Sequence, residues 1–540
     1  MATDTQLIVI GSGAAGLSAA LSAAQAGARV RVLEASDRLG GTTAFSGALL
    51  WAPGNRWARA AGHDDSLDSA RRYVQAVLGE RAADPRWAVF FERINPLLAF
   101  LERETPLRFG LCRYPDAFGE WADGTDFRHV HSDPIPLSCA GPLAASIRRP
   151  PDMRDRIMVR DLEGVRPFGL IRPRALLRIL PRLAWRGLRG RVHGGVALVV
   201  ALLGACQRYG VEFQLNARVS ELRRVDGRVA EVVYRHGDHE HVLRAERGVL
   251  VASGGFDWNP QLMRRFLPVT IEETQTPPVN RGDAIAWAEA LGARLAHMDE
   301  AWWLPGKYLP GTPLHDGQAV ANWLVGDRIW PHSLWVNRHG RRFCNESAQN
   351  TGNHWGELDE HGEPRNLPCF AVFDAQFRRR YPLLARIKPG QADPDWLVSA
   401  PSLALLAERI GVPAAALEAS VARFNRQARA GRDEDFGRGE GLYERYFGDP
   451  RQAHPVLGSV ERPPFYAYRL ATSSVGTKGG LATDADARVL DQAGQPIPGL
   501  YAAGNAAAAF NGPLTVAAGC TIPPALVMGH VAALHALVPG

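Results

Sequence analysis

The stretch Leu7-Ile8-Val9-Ile10-Gly11-Ser12-Gly13-Ala14-Ala15-Gly16 decides the fold. Four apolar residues read as a buried strand, the glycines as a tight turn, and the alanine-rich segment 17–27 as a helix; a second apolar run, Val30-Arg31-Val32-Leu33, ends in Glu34 and Ala35. Strand, glycine turn, helix, strand and acid in that order form the dinucleotide fingerprint of a Rossmann-like α/β domain. Gly11 permits the turn, Gly13 lets backbone amides approach a pyrophosphate, and Gly16 lets the helix pack on the sheet. The helix start at Ala14 and Ala15 offers partial positive charge to phosphates, and Glu34 can accept hydrogen bonds from a ribose diol.

Around this core, 540 residues with 46% hydrophobic and 22% charged content are enough for roughly two to four domains. Six cysteines lie far apart without a C-x-x-C pair, which points to reduced, buried thiols and to no metal site. The start of the chain lacks the basic and long apolar regions of a secretory signal. Its longest apolar run, 194–206, is 13 residues, against the ~20 of a membrane span. A cytoplasmic protein is expected.

Residues after Glu34 separate two dinucleotides. Gly40-Gly41-Thr42-Thr43 and Ser46-Gly47 resemble the flavoprotein continuation that runs beside the ribityl chain and isoalloxazine. The segment 211–219, ending in Val219, resembles the flavoprotein strand beside the adenine. Ala252-Ser253-Gly254 is similar to the second flavoprotein glycine motif, and Gly504-Asn505 to the C-terminal one. The resemblance implies FAD; with no histidine in 34–60, noncovalent attachment is expected.

Between these motifs, 280–455 is too long for a loop and carries its own helix signals, at 282–287 and 402–429. An inserted α+β cap over the flavin is expected, with an FAD-binding domain at 1–280 and 456–540 and a substrate domain at 281–455. Here the chain resembles the fumarate reductase and 3-ketosteroid dehydrogenase superfamily, and within it the ketosteroid dehydrogenase branch. The resemblance rests on Gly40-Gly41-Thr42-Thr43, on the runs 298–303, 336–343 and 435–439, and above all on Gly476-Thr477-Lys478-Gly479-Gly480 and 518–525. It implies α,β-desaturation of a hydrophobic, cyclic ketone: donors polarise the carbonyl, a base takes the α-proton, and the β-hydrogen leaves as hydride to flavin N5. Gly519 matches the glycine whose amide binds the carbonyl, and Thr521 and Ile522 fall beside the flavin.

Two family tyrosines are replaced. The position after Asn345-Glu346 falls on Asn350, and the one four residues before Gly519 falls on Thr515; a third falls near Tyr114 or Phe118. Tyr114, Tyr308, Tyr466 and His354 are the candidates for the base. The fumarate reductase donor position falls on Gln349, and 506–518 carries no charge. With Trp302-Trp303, this favours a neutral substrate over a dicarboxylate. An ene reductase running the chemistry backwards, or a flavoprotein that only binds a lipid or partner, stays open. Without a second nucleotide fingerprint, an external electron acceptor is expected rather than NADH.

The net charge of +6 is concentrated in one place. Residues 148–191 hold thirteen arginines, no lysine and four acids, so the rest of the chain is mildly acidic. Arg174, Arg178, Arg182 and Arg186 fall at steps of four among leucines and Trp185, which predicts an interfacial amphipathic element over 171–191, broken at Pro181 into two short helices. A peripheral contact with the inner membrane face is expected, alongside a solvated basic helix or subunit contact. No recognition motif for nucleic acid accompanies the charge.

Overall fold

The computed structural model describes residues 5–121, 123–150, 158, 161, 173–308, 317–323, 326–384 and 387–538. Thr5–Ile10 is the central strand of the main sheet. Val30–Leu33 and His239–Val251 run parallel on either side of it, with Ile10 level with Leu33 and Val251. Glu212–Gln214 extends one edge, with Gln214 beside Leu33. Pro496–Ala502 extends the other, with Ala502 beside Val251.

Where these strands cross the core, at 7–10 and 249–251, they are unbroken aliphatic runs because both faces are covered. Leu7, Val9, Val30 and Val32 face a helical layer. The alternate residues Ile8, Ile10, Val249 and Val251 face Val219, Leu222, Val229 and Val232, which belong to the antiparallel strands Arg218–Val225 and Arg228–His236. In the helical layer Ala14–Gln25 lies between Gly194–Arg208 and Ile522–Leu537. Small residues allow this: a Cβ on Gly529 would sit 2.2 Å from the Ala15 carbonyl oxygen, and Ser18 Oγ donates to Leu526 O at 2.8 Å. The 194–206 run is thus a core helix buried all round, with only Gly204 partly exposed.

The cap is built on an antiparallel sheet in the order Ser333–Asn337, Cys369–Asp374, Phe465–Leu470, Val398–Ala400. Side chains alternate across it. Leu334, Val336, Phe370 and Val372 pack under the helices Leu403–Ile410 and Ala414–Ala430, while Trp335, Ala371 and Phe373 pack against Trp330 and Phe377. One strand of this sheet, Phe465–Leu470, lies beyond residue 455, and Ser473–Thr477 pairs with Glu273–Thr274 and Ala301–Trp303. The expected boundary therefore falls short, because the cap needs the returning chain to complete its sheet.

No disulfide links the six cysteines, five of which are buried. No helix among the described residues is long and apolar enough to cross a membrane. The basic element also departs from expectation: Pro173–Leu188 is one helix that continues through Pro181. Pro181 is exposed, so the Leu177 carbonyl that it leaves without an N–H partner can be hydrated.

Candidate active site

Because Ile10, Leu33, Val251 and Ala502 are level, the turns that follow them open at one edge of the sheet, where α/β folds bind ligands. A cavity of about 570 Å³ lies there. Its wall contains Gly11, Gly13, Ala14, Ala15, Glu34, Ala35, Gly41, Thr42, Thr43, Ser46 and Gly47 from the N-terminal half, with Val219, Ala252 and Gly254. Gly504, Asn505, Gly519, Thr521 and Ile522 close it from the other end of the chain. Gly16 and Gly40 stand behind the wall. A Cβ on Gly16 would lie 2.0 Å from Gly11 O, and Gly40 N donates to Ser12 Oγ at 2.9 Å.

These residues fit FAD. At the start of Ala14–Gln25 the Ala14 amide donates to Thr43 Oγ1 at 2.9 Å, and the first amide bonded within the helix is Leu17 N, to Gly13 O. The Ala15 and Gly16 amides between them have no acceptor among the described residues, as a phosphate site at a helix start requires. Glu34 accepts from Ser12 N and Oγ at 3.2 and 2.6 Å and from Ser36 N and Oγ at 3.1 and 3.0 Å, so a ribose diol bound there would share the carboxylate with these donors. The cationic lining residues Arg218 and Arg281 belong to this end: Ala217 N donates to Glu34 O, and Arg218 pairs with Asp283 at 2.8 Å.

At the opposite end, the segment 516–519 is gripped from several sides. Val516 O accepts from Tyr73 Oη at 2.7 Å and Ala117 N at 3.1 Å. Ala518 O accepts from His129 Nε2 at 2.8 Å, and Gly519 O from Trp51 N at 3.0 Å. Trp51 is anchored in turn through Nε1 to Asp116, and Asp116 pairs with Arg128 at 2.9 Å, both fully buried. Burial pushes the Asp116 carboxyl up to about 6, against the pull of Arg128. Gly519 has φ +72, and a Cβ there would lie 2.2 Å from Leu49 O, so only glycine fits. Its amide has no acceptor among the described residues and lines the cavity.

Of the four candidate bases, only Tyr114 reaches the cavity. Burial pushes its phenol well above the ordinary range, nearby Tyr443 and Tyr446 add to this, and Arg328 opposes it. The Tyr443 hydroxyl interacts with Tyr114 and accepts from Arg328 Nη2 at 3.2 Å. The structure does not bring the other three to the cavity wall. Tyr308 sits beside Thr274 and Glu273. Tyr466 stacks on Phe373 at 5.4 Å in the cap, and His354 is tied to Glu357 at 2.5 Å. Thr515 and Trp302 line the cavity; Asn350 and Phe118 lie behind it. Asn350 exchanges two hydrogen bonds with the Thr515 backbone, at 3.0 and 2.7 Å, so it shapes the wall rather than forming it. Phe118 stacks on Trp121 at 4.5 Å.

Several positions inside the sequence motifs had no role assigned by the residues alone. Gln349 lines the cavity with a buried Oε1 that accepts no hydrogen bond among the described residues. Lys478 is buried under the uncharged 506–518 segment, donating to Gly512 O and Pro513 O at 2.7 and 2.8 Å. Its Nζ lies 4.5 Å from the Trp302 ring, and burial lowers it to about 8. The runs 336–343 and 435–439 meet in the cap instead: Arg342 pairs with Glu346 and Asp433, both at 2.9 Å, and Arg438 with Glu346 at 3.1 Å. They brace the cap rather than act on substrate.

Comparison with known proteins agrees with this geometry. Residues 6–522 match the FAD binding domain family. The chain is 36% identical to 3-oxosteroid 1-dehydrogenase of Mycobacterium tuberculosis, over 98% of each protein. It is equally similar, at 36%, to 4-oxocyclohexanecarboxylate 2-dehydrogenase of Sinomonas cyclohexanicum, over 97% of this chain and 92% of that one. The crystal structure of 3-ketosteroid delta1-dehydrogenase from Sterolibacterium denitrificans with 1,4-androstadiene-3,17-dione superposes with a TM-score of 0.88 at 32% identity, covering 99% of both chains. The fingerprint, the cavity and these likenesses together make the chain a member of the FAD-binding family that holds the 3-ketosteroid dehydrogenases, and an FAD-dependent oxidoreductase.

Proposed function

We propose that this enzyme desaturates a neutral, hydrophobic cyclic ketone of the 3-ketosteroid kind at the carbons next to its carbonyl. The observation that carries the reading is the end of the cavity bounded by Leu49, Tyr114, Trp302, Gln349, Thr515 and Gly519, where no described lining residue is charged. A ketone carbonyl would accept from the Gly519 amide, which makes the α-proton acidic. Tyr114 is the cavity-lining phenol that would take that proton as its phenolate, with the Arg328 cation, which holds the Tyr443 hydroxyl, favouring the charged form. The chemistry that bound FAD supplies is acceptance of the β-hydrogen with its electron pair. An external acceptor then reoxidises the cofactor.

Anaerobic mixing with saturated 3-ketosteroids and with 4-oxocyclohexanecarboxylate tests this. Bleaching of the flavin by the steroids and not by the carboxylate is the expected result. Bleaching by the carboxylate alone would overturn the neutral-substrate reading, and reoxidation of reduced enzyme by enones without any bleaching would support the reductase instead.

A second reading concerns where the enzyme works. The helix Pro173–Leu188 exposes Leu177, Leu180, Trp185 and Leu188, the last at 88%, on a segment with a surplus of nine positive charges. Apolar side chains facing outward within a basic segment match the chemistry of an anionic lipid surface, where a poorly soluble ketone would also be found.

A further inference from the structure

We infer that His129 is a positioning residue that strengthens the carbonyl-binding amide: its Nε2–H, held on Ala518 O, polarises the Ala518–Gly519 peptide. The inference rests on the assignment of Gly519 as the donor to the ketone. A peptide is a conjugated unit, so a hydrogen bond accepted at its oxygen draws electron density from nitrogen and makes its own N–H a stronger donor. The peptide in question has its oxygen on His129 at 2.8 Å, while Gly519 lines the cavity and its N–H has no acceptor among the described residues. A carbonyl oxygen only accepts, so the imidazole proton must lie on Nε2. Burial also lowers His129 to about 4, leaving a neutral ring that acts as an oriented dipole.

The placement is rigid. His129 is fully buried on the strand His129–Ser132, and its cross-strand partner is Trp51. Trp51 N holds Gly519 O at 3.0 Å. One cross-strand pair therefore fixes the peptides on both sides of the Gly519 Cα, His129 from a side chain and Trp51 from the backbone. Strengthening the donor matters most when negative charge builds on the ketone oxygen, so the effect should fall on turnover more than on binding.

The test uses flavin-loaded enzyme and 1,4-androstadiene-3,17-dione carrying ¹³C at C3, the dienone carbonyl, with infrared difference spectra of the bound dienone. In the unaltered enzyme the carbonyl stretch should lie below its value in apolar solvent. His129→Phe should lose about 10–30% of that lowering and about tenfold in kcat with saturated 3-ketosteroids, less than the 10²–10³ for removal of a whole donor, while KM stays within about twofold. His129→Gln, whose amide can reach the same carbonyl, should restore both. If the Phe variant does not fold, His129→Asn, whose shorter amide falls short of Ala518 O, takes its place. Full lowering in the Phe or Asn variant would overturn the role of His129. No lowering in the unaltered enzyme would instead overturn Gly519 as the donor, and the role of His129 with it.

Discussion

A phenol whose ionisation is opposed by burial on every side makes a demanding base, and Tyr114 is such a phenol. The reactive form must lack a proton, and the pKa lies well above the ordinary range, so kcat should climb with pH through the accessible range and show no plateau below about pH 9. Tyr114→Phe should lower kcat by about 10²–10⁴. Tyr443→Phe should lower it less and move the rising limb to lower pH, since Tyr443 is one of the groups that raise the Tyr114 phenol. A plateau near neutrality in the unaltered enzyme would assign the proton to another group. Little of this was legible in the sequence. Tyr114, Tyr443 and Arg328 come from three remote segments, and His129 meets Ala518 across 389 positions, so no local spacing links them. Where chemistry depends on backbone atoms in sequence order, as at Gly11 and Gly13, the motif itself is the geometry and could be read directly.

The basic helix shows what a pattern along the chain leaves out. Four arginines at steps of four suggested an exposed charged stripe, yet Arg186 turns inward and pairs with Asp161 through two hydrogen bonds, with both side chains buried. Ile179 is buried on the same side, and Leu177, Leu180 and Leu188 are left outside. Periodicity gave the helix and its two-sidedness, but a distant acid chose which side faces in. The helix continues through Pro181 for a related reason, since an exposed turn tolerates the missing hydrogen bond. Changing Leu177, Leu180, Trp185 and Leu188 together to Ser should leave Tm nearly unchanged, because exposed sites contribute within about ±0.5 kcal/mol each. It should abolish co-sedimentation with phosphatidylglycerol vesicles. Unchanged sedimentation, or none in the unaltered enzyme, would remove the lipid surface from the picture.

Across the whole molecule, buried acids set how stability depends on pH. Burial raises Asp327 and Glu444 to about 7 and Asp116 and Asp257 to about 6. Each folded value lies above the unfolded one. The stability these acids provide is therefore fully present below about pH 4 and is lost as pH rises through 6 to 7. Asp327 accepts from Leu384 N at 2.6 Å, a bond that an amide oxygen also makes. Asp327→Asn should thus be the more stable protein at neutral pH, by on the order of 2 kcal/mol, with a wider gap in Tm at about pH 8 than at about pH 5; equal gaps would show that Asp327 ionises freely in the fold. At this scale the sequence was most informative, because the flavin motifs occur in chain order and each ends a strand of one sheet. The cap boundary was less so, because a strand such as Phe465–Leu470 belongs to whichever sheet lacks one, and composition does not reveal that. The level row of strand ends also bears on how the protein is made. The cavity wall begins with Gly11 to Gly47, while Gly504, Thr521 and Ile522 join it from more than 450 residues further along the chain. A ribosome must therefore deliver the chain as far as Ile522 before every part of that wall exists.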